Sequence, residues 1–293
     1  MVFFGTLSLF SYAVLSELLN LKANIHAIVL AKNAPEKIQT RENVQFGLIQ
    51  TFKHKTIEVL ALEQNIPIIY VQNIHDPQFF AQIKAYEADF FVVACFPYLI
   101  PRSLWELPKL TSLNVHPSLL PEFRGPAPVF WQLRAGNEDF GITIHQLNQF
   151  FDQGKILLQK KVSLKDGMRG RAIDRLFGKI AAKMLVCLAA NYSPTSNNAT
   201  ANSKHNSSYY PIPQASDFTI ALTWSAKHSF NFMRGTEEWD FPYPIALTNR
   251  QFLLSRALAY SPAGKQTSLY KIEADIIMIQ FAQGLLQAKL FDR

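Results

Sequence analysis

The chain is 293 residues long, 48% hydrophobic and 17% charged, with a formal net charge of +7. That length and apolar fraction allow a sizeable core in one large or two smaller domains. No apolar run reaches the roughly 18 residues of a membrane-spanning helix, so no membrane role is expected. The positive balance permits a polyanionic partner without demonstrating one.

In chain order, Val2 to Gly5 reads as a strand. The apolar run Val2 to Tyr12 is short, lacks a basic leader and contains Gly5-Thr6, which favours a first core strand over a signal peptide. Phe10 to Leu21 predicts a helix and Ile25 to Leu30 the next strand. The stretch Ala31 to Lys55 is of mixed charge and ends in Lys53-His54-Lys55, one of two loose basic groups; the other is Lys165, Arg169, Arg171, Arg175 and Lys179. Thr56 to Gln64 predicts a helix, Ile68 to Val71 a strand, Pro77 to Tyr86 a helix and Phe90 to Cys95 a strand. This alternation signals an α/β unit with a Rossmann-like, mostly parallel sheet.

Leu113 to His116 is the next strand. Ligands of open α/β sheets lie at the carboxyl ends of strands, which places both Asn114/His116 and the loop Phe96 to Pro101 where a site belongs. Ile142 to Leu147 and Ile156 to Val162 read as paired strands around a loop holding Asp152. Asp166 to Asn191 predicts a polar cap and an amphipathic helix through Ala172, Leu176, Ile180, Met184 and Leu188. Ser193 to Ser208 is rich in Ser, Asn, Thr and Ala and reads as a linker. Beyond it, a helical run at Ser225 to Arg234 and strands at Ile245 to Leu247, Phe252 to Ala257 and Ile276 to Phe281 predict a small β-rich module. The expected organisation is a catalytic domain over 1–190, a polar linker over 191–210 and a β-rich domain over 211–293.

Cys95 and Cys187 lie far apart in apolar surroundings, which predicts buried thiols in a reducing, cytoplasmic setting. The seven histidines lack ligand-like spacing, so no metal site is expected. Gly5 has no following Gly-x-x-Gly and no phosphate-binding Gly-Lys-Ser/Thr occurs, so topology alone assigns no nucleotide. The aromatic clusters Tyr209-Tyr210 and Trp239 to Pro244 lack adjacent basic residues and are read as packing.

Asn114-Val115-His116-Pro117-Ser118-Leu119-Leu120-Pro121 precedes a basic turn at Arg124-Gly125, and Asp152 follows His116 by thirty-six positions. Moving an acyl carbon between two nitrogens needs a donor for the oxyanion and a proton relay. Asn114 and His116 stand at i and i+2, on one side of a strand end. A side-chain amide suits the oxyanion, and an imidazole suits proton transfer near neutrality. Asp152, in the turn-like Asp152-Gln153-Gly154, suits the task of orienting the imidazole or positioning water.

With Val2-Phe3-Phe4-Gly5-Thr6, Val92 to Pro101 and Gly141-Ile142-Thr143, these motifs resemble the folate-dependent formyltransferases over roughly residues 1 to 165. Within that family the likeness is strongest to the methionyl-tRNA enzymes. The resemblance implies a formyltransferase fold with an OB-like carboxyl domain, catalysis by Asn114, His116 and Asp152, and 10-formyltetrahydrofolate as donor. It implies folate contacts from Phe96, Tyr98, Leu99, Ile100, Ser118, Leu119, Leu120, Pro121, Leu147 and Phe151, with protonated His116 facing the oxyanion. Methionyl-tRNA is then the first acceptor to consider, and translation initiation the setting. Ala31 to Lys55 lacks the family's glycine- and lysine-rich basic loop. An amino sugar nucleotide or other small amine, hydrolysis of formyltetrahydrofolate, and a non-catalytic folate-binding protein therefore stay open.

Overall fold

A computed structural model describes residues 1–31, 56–194, 199–202 and 207–291. The mixed-charge stretch 32–55, with Lys53-His54-Lys55, lies outside the described residues, as do parts of the stretch read as a linker. The chain divides into two compact units. The first comprises 1–128, 140–162 and 174–210, and the second 129–139, 163–173 and 211–293.

The first unit opens with β1 (Val2–Gly5), α1 (Leu9–Asn20) and β2 (Ala27–Ala31). It continues through α2 (Ile57–Glu63), β3 (Ile68–Val71), α3 (Pro77–Lys84), β4 (Phe90–Val93), α4 (Arg102–Trp105) and β5 (Thr111–His116). Helix starts follow local capping chemistry. Ser8, Thr56 and Asp76 each accept a backbone N–H of the first turn through a side-chain oxygen, and Pro77 occupies the start of α3. After α5 (Pro128–Ala135), β6 (Phe140–Gln146) and β7 (Ile156–Val162) complete a seven-stranded sheet of order β3-β2-β1-β4-β5-β6-β7.

The pairs from β3 through β5 are parallel, while β5–β6 and β6–β7 are antiparallel. Parallel strands covered on both faces carry continuous apolar runs, and β1 and β4 are buried along their whole length. Phe4 packs against Phe91 and Phe96 in this core. The strand order reverses at β1 and β4, and there β4 runs into the loop carrying residues 94–101. Such a reversal opens a crevice at the strands' carboxyl ends.

α6 (Gly170–Asn191) has its buried face on Ile173, Phe177, Ala181 and Leu185, one position later than the stripe expected through Ala172 and Leu176. Two apolar rows run side by side on this helix. The row beside small Gly178 and Ala182 is the one buried, because small residues permit close approach to Ala13 of α1.

In the second unit, α7 (Ala226–Thr236), capped by Ser225, accompanies a five-stranded antiparallel sheet. Its strands are β8 (Tyr243–Leu247), β9 (Arg250–Ser261), β10 (Tyr270–Glu273), β11 (Ile276–Gln280) and β12 (Leu285–Leu290), in the order β10-β11-β12-β9-β8. This is the β-rich carboxyl module expected from the strand pattern. Phe130 of α5 joins its core with Phe218, Phe232 and Trp239, with Phe130 and Phe232 ring centres 5.4 Å apart. Trp239 and Tyr243 thus pack, as their lack of basic neighbours suggested. Both cysteines are exposed rather than buried. Cys187 falls on the outer side of α6, and Cys95 follows β4 at the sheet's carboxyl edge. No helix is long and apolar enough to cross a membrane among the described residues.

Candidate active site

β5 pairs with β6 so that Asn114 lies opposite His145 and His116 opposite Thr143. Directly opposed side chains on one face of an antiparallel pair meet. Asn114 Nδ2 accordingly stands 3.0 Å from His145 Nε2, and it donates to Asp152 Oδ1 at 3.2 Å. The carboxylate acceptor fixes the amide orientation, since a reversed amide would set oxygen against oxygen. His145 Nδ1 lies 2.7 Å from the Gln146 carbonyl. That carbonyl assigns the ring proton to Nδ1 and leaves Nε2 to accept from Asn114.

His116 is buried, with Nε2 2.8 Å from the Phe123 carbonyl and Nδ1 3.4 Å from Asp152 Oδ1. The carbonyl assigns a proton to Nε2, so in the neutral ring Nδ1 carries the lone pair. Burial outweighs the Asp152 carboxylate and the Phe123 carbonyl and holds the imidazole below its ordinary pKa. The free site therefore favours a neutral imidazole rather than the protonated ring expected from the family resemblance.

Asp152 has left-handed backbone, φ 54°, and its Oδ2 accepts the Gly125 N–H at 2.9 Å. Burial alone would raise its pKa, but the positive charge that His116 and His145 can take beside it, with the Gly125 N–H, overcomes that and holds the carboxyl well below the usual range. Gly125 needs to be glycine: its φ is 113°, and a Cβ there would overlap the Tyr210 carbonyl oxygen. Arg124 is buried beside this turn, its pKa lowered by burial and supported by Asp152.

Ser118 and Leu120 sit inside the fold. Ser118 Oγ donates to the Glu122 carbonyl, Thr143 Oγ1 to the Ser118 carbonyl, and the Leu120 N–H to Thr143 Oγ1. With Leu119 and the cis-linked Pro121 they form the turn that carries Phe123 to His116. Phe96 and Ile100 are buried, with Tyr98 and Leu147 packed partly against the same cluster. The Leu147 N–H is held by the Ser112 carbonyl. Leu99 and Phe151 are exposed, with Leu7 and Phe150. Large apolar side chains left open at strand ends suit a ligand with an aromatic ring.

Two polar residues of the site escaped sequence reasoning. His145 could have been found from alternation, because Thr143 and His145 are polar at period two in an otherwise apolar strand. Asn202 belongs to the stretch read as a linker, and no local pattern marks it. Its amide donates to the carbonyls of Asp152 at 2.8 Å and Gly154 at 3.1 Å, and its oxygen accepts from Arg124 at 2.7 Å. No group of three or more His, Cys, Asp or Glu is placed to hold a metal among the described residues.

A doubly wound sheet bearing a half-buried amide, two buried imidazoles and a carboxylate beside β5 gathers polar and titratable groups at one site. Residues 1–186 match the formyl transferase family, and the chain belongs to it. The methionyl-tRNA formyltransferase of Clostridioides difficile is 30% identical over 187 residues, spanning 64% of this chain and 60% of that protein. The methionyl-tRNA formyltransferase of Geobacter metallireducens is 24% identical over 98% of this chain and 88% of its own length. The chain thus spans less than two thirds of the first of these relatives. Among solved structures, a Helicobacter canadensis N-formyltransferase in complex with folinic acid and dTDP-3-aminofucose matches with TM-score 0.66 and 15% identity, covering 99% of both chains. The Clostridium thermocellum methionyl-tRNA formyltransferase matches with TM-score 0.55 and 11% identity, over 100% of this chain and 99% of its own. These two likenesses speak for the fold.

Proposed function

We propose that this chain transfers the formyl group of 10-formyltetrahydrofolate to a primary amine, with the amino group of methionyl-tRNA as acceptor. The observation that carries the reading is the convergence of Asn114, His116 and Asp152 at the end of β5, within a family of formyl transferases. The methionyl-tRNA enzymes among its sequence relatives support the acceptor. Leu99 and Phe151, on the two loops that the family resemblance ties to folate, are exposed apolar side chains of the kind a ring system packs on. The setting in this reading is the cytoplasm.

The neutral amine attacks the formyl carbon. A C–N bond forms, the bond from that carbon to folate N10 breaks, and the amine proton ends on N10. Neutral His116 takes the proton at Nδ1, where the Asp152 carboxylate stabilises the imidazolium. Asn114 gives the developing oxyanion the N–H now donated to Asp152, the longer of its two contacts. His145 holds the other side of the Asn114 amide. A transfer to an amino sugar nucleotide is the second reading, favoured by one observation: the stretch 32–55 mixes Glu36 and Glu42 with its lysines and lacks a dense basic run.

Tetrahydrofolate release from 10-formyltetrahydrofolate, measured with methionyl-tRNA, amino sugar nucleotides, small amines and no amine, tests these readings together. Strict dependence on methionyl-tRNA is the expected result. Dependence on a sugar nucleotide reassigns the acceptor, release without amine assigns hydrolysis, and binding without release overturns catalysis.

A further inference from the structure

The segment 199–202, which reads as a featureless linker, is tied into the first unit by paired backbone bonds. Thr200 and Ile156 exchange both N–H donors, at 2.8 and 2.9 Å. Past residues 203–206, Ser208 accepts the Arg124 N–H with its carbonyl and the Phe123 N–H with its hydroxyl, and Tyr210 donates to the Arg124 carbonyl. The two loops that build the site, one with Phe123, Arg124 and Gly125 and one with Asp152, are thus both anchored to the segment after α6.

Asn202 is the side chain that joins them. It accepts from Arg124 with its oxygen and gives both N–H groups to the Asp152 loop, one to Asp152 itself and one to Gly154. The ring closes through the Gly125 N–H on Asp152 Oδ2. Both backbone carbonyls that Asn202 holds belong to a turn in which Asp152 takes the left-handed conformation, one that aspartate tolerates better than most residues but that is uncommon outside glycine. An amide is the group that this arrangement needs, because one end must donate twice and the other must accept.

We infer that Asn202 is a positioning residue: by clamping the Asp152 turn to Arg124, it aims the Asp152 carboxylate at His116, Asn114 and His145. The inference rests on the catalytic reading of Asp152 for its effect on rate, but not for its effect on geometry. The charged and titratable groups around His116 are Asp152, His145 and Arg124. If the clamp is released, Asp152 moves off and His116 loses the partner that favours its charged form.

Asn202→Ala, Asn202→Asp, Arg124→Gln and Asp152→Asn are compared in two readouts. The first is histidine ring titration by NMR in selectively labelled protein, with His116 and His145 assigned by single replacement. The second is formyl transfer as kcat and KM across pH. Asn202→Ala is expected to move the His116 titration to lower pH, in the direction of Asp152→Asn, and to reduce kcat on the order of 10- to 100-fold with little change in folate KM. Asn202→Asp keeps an acceptor for Arg124 but sets a carboxylate against two carbonyls, so it must be at least as impaired. If Asn202→Asp retains full turnover and an unshifted His116, Asn202 serves only Arg124 and the inference is overturned. An unmoved His116 titration in folded Asn202→Ala overturns it as well. If Asp152→Asn stays fully active while Asn202→Ala still shifts His116, the catalytic reading of Asp152 fails and the positioning stands.

Discussion

Asn114 and Asp152, 38 residues apart in sequence, are joined by a single hydrogen bond from amide to carboxylate at 3.2 Å. Because the second N–H faces His145, the Asn114 amide has no spare donor until a substrate oxygen displaces one partner. Asn114→Ala should lower kcat by roughly 100- to 1,000-fold, the usual effect of deleting an oxyanion donor. Asn114→Asp places a second carboxylate beside Asp152, and two such neighbours cannot both ionise cheaply. The proton they share restores a donor, so the activity of Asn114→Asp relative to that of Asn114→Ala should climb towards acid pH. Parallel pH profiles for the two variants would contradict this arrangement.

Acid should weaken the protein in two stages. His116 and His228 both lie below their ordinary pKa, chiefly through burial. The unfolded chain takes up protons below about pH 6.5, before the folded imidazoles do, so their contribution is complete above that pH and is lost as pH falls. Asp152 lies below the usual carboxylate range, and its contribution is lost only below about pH 3.9, where the unfolded carboxyl protonates. Urea midpoints followed downward from neutrality should fall in the first stage, and His116→Gln should flatten part of that fall. A midpoint equally steep in His116→Gln would sink the assignment.

The central sheet is legible in sequence because β1 to β4 are short apolar runs set between helices, as with Phe90 and Val93 of β4. Asn114, His116 and Asp152 are legible because strand alternation and a turn carry them. Alternation along β6 marks His145 as a polar position, but that it meets Asn114 depends on the register of the β5–β6 pair, which neither strand displays alone. Asn202 is harder still, since polar low-complexity sequence is what a tether also looks like. The buried row of α6 depends on which of two apolar stripes meets Ala13, and the sequence of one helix holds no record of its partner. The four-residue α4 is too brief to show a period.

Gly154 sets the depth of the Asp152 turn. A Cβ at this position would overlap the Gln146 carbonyl oxygen and lie 3.3 Å from His145 Nδ1. Backbone cannot yield as a flexible side chain does, so Gly154→Ala must push the turn outward. The expected loss is about 1–3 kcal/mol of stability, read from denaturant unfolding. Turnover should fall more than stability explains at a temperature where the variant is fully folded. A folded Gly154→Ala protein with unchanged kcat would show that the turn's depth is irrelevant to Asp152.

Cys95 follows β4 with left-handed backbone, φ 56°, at the reversal of strand order. The residue is open to solvent, yet its thiol is crowded beside the first turn of α1, where Ser8 and Ser11 interact with it. Burial of the sulfur, with Asp174 second, pushes its pKa up to about 12 and outweighs those two hydroxyls. Only the thiolate alkylates, and the raised pKa leaves less of the native Cys95 thiol ionised at pH 8 than of a free cysteine. In a Cys187→Ser protein, iodoacetamide should therefore modify Cys95 more slowly when native than in urea. Mass spectrometry of timed samples reads both rates. Equal rates would mean that exposure, rather than the protonation state held by its surroundings, governs the Cys95 thiol.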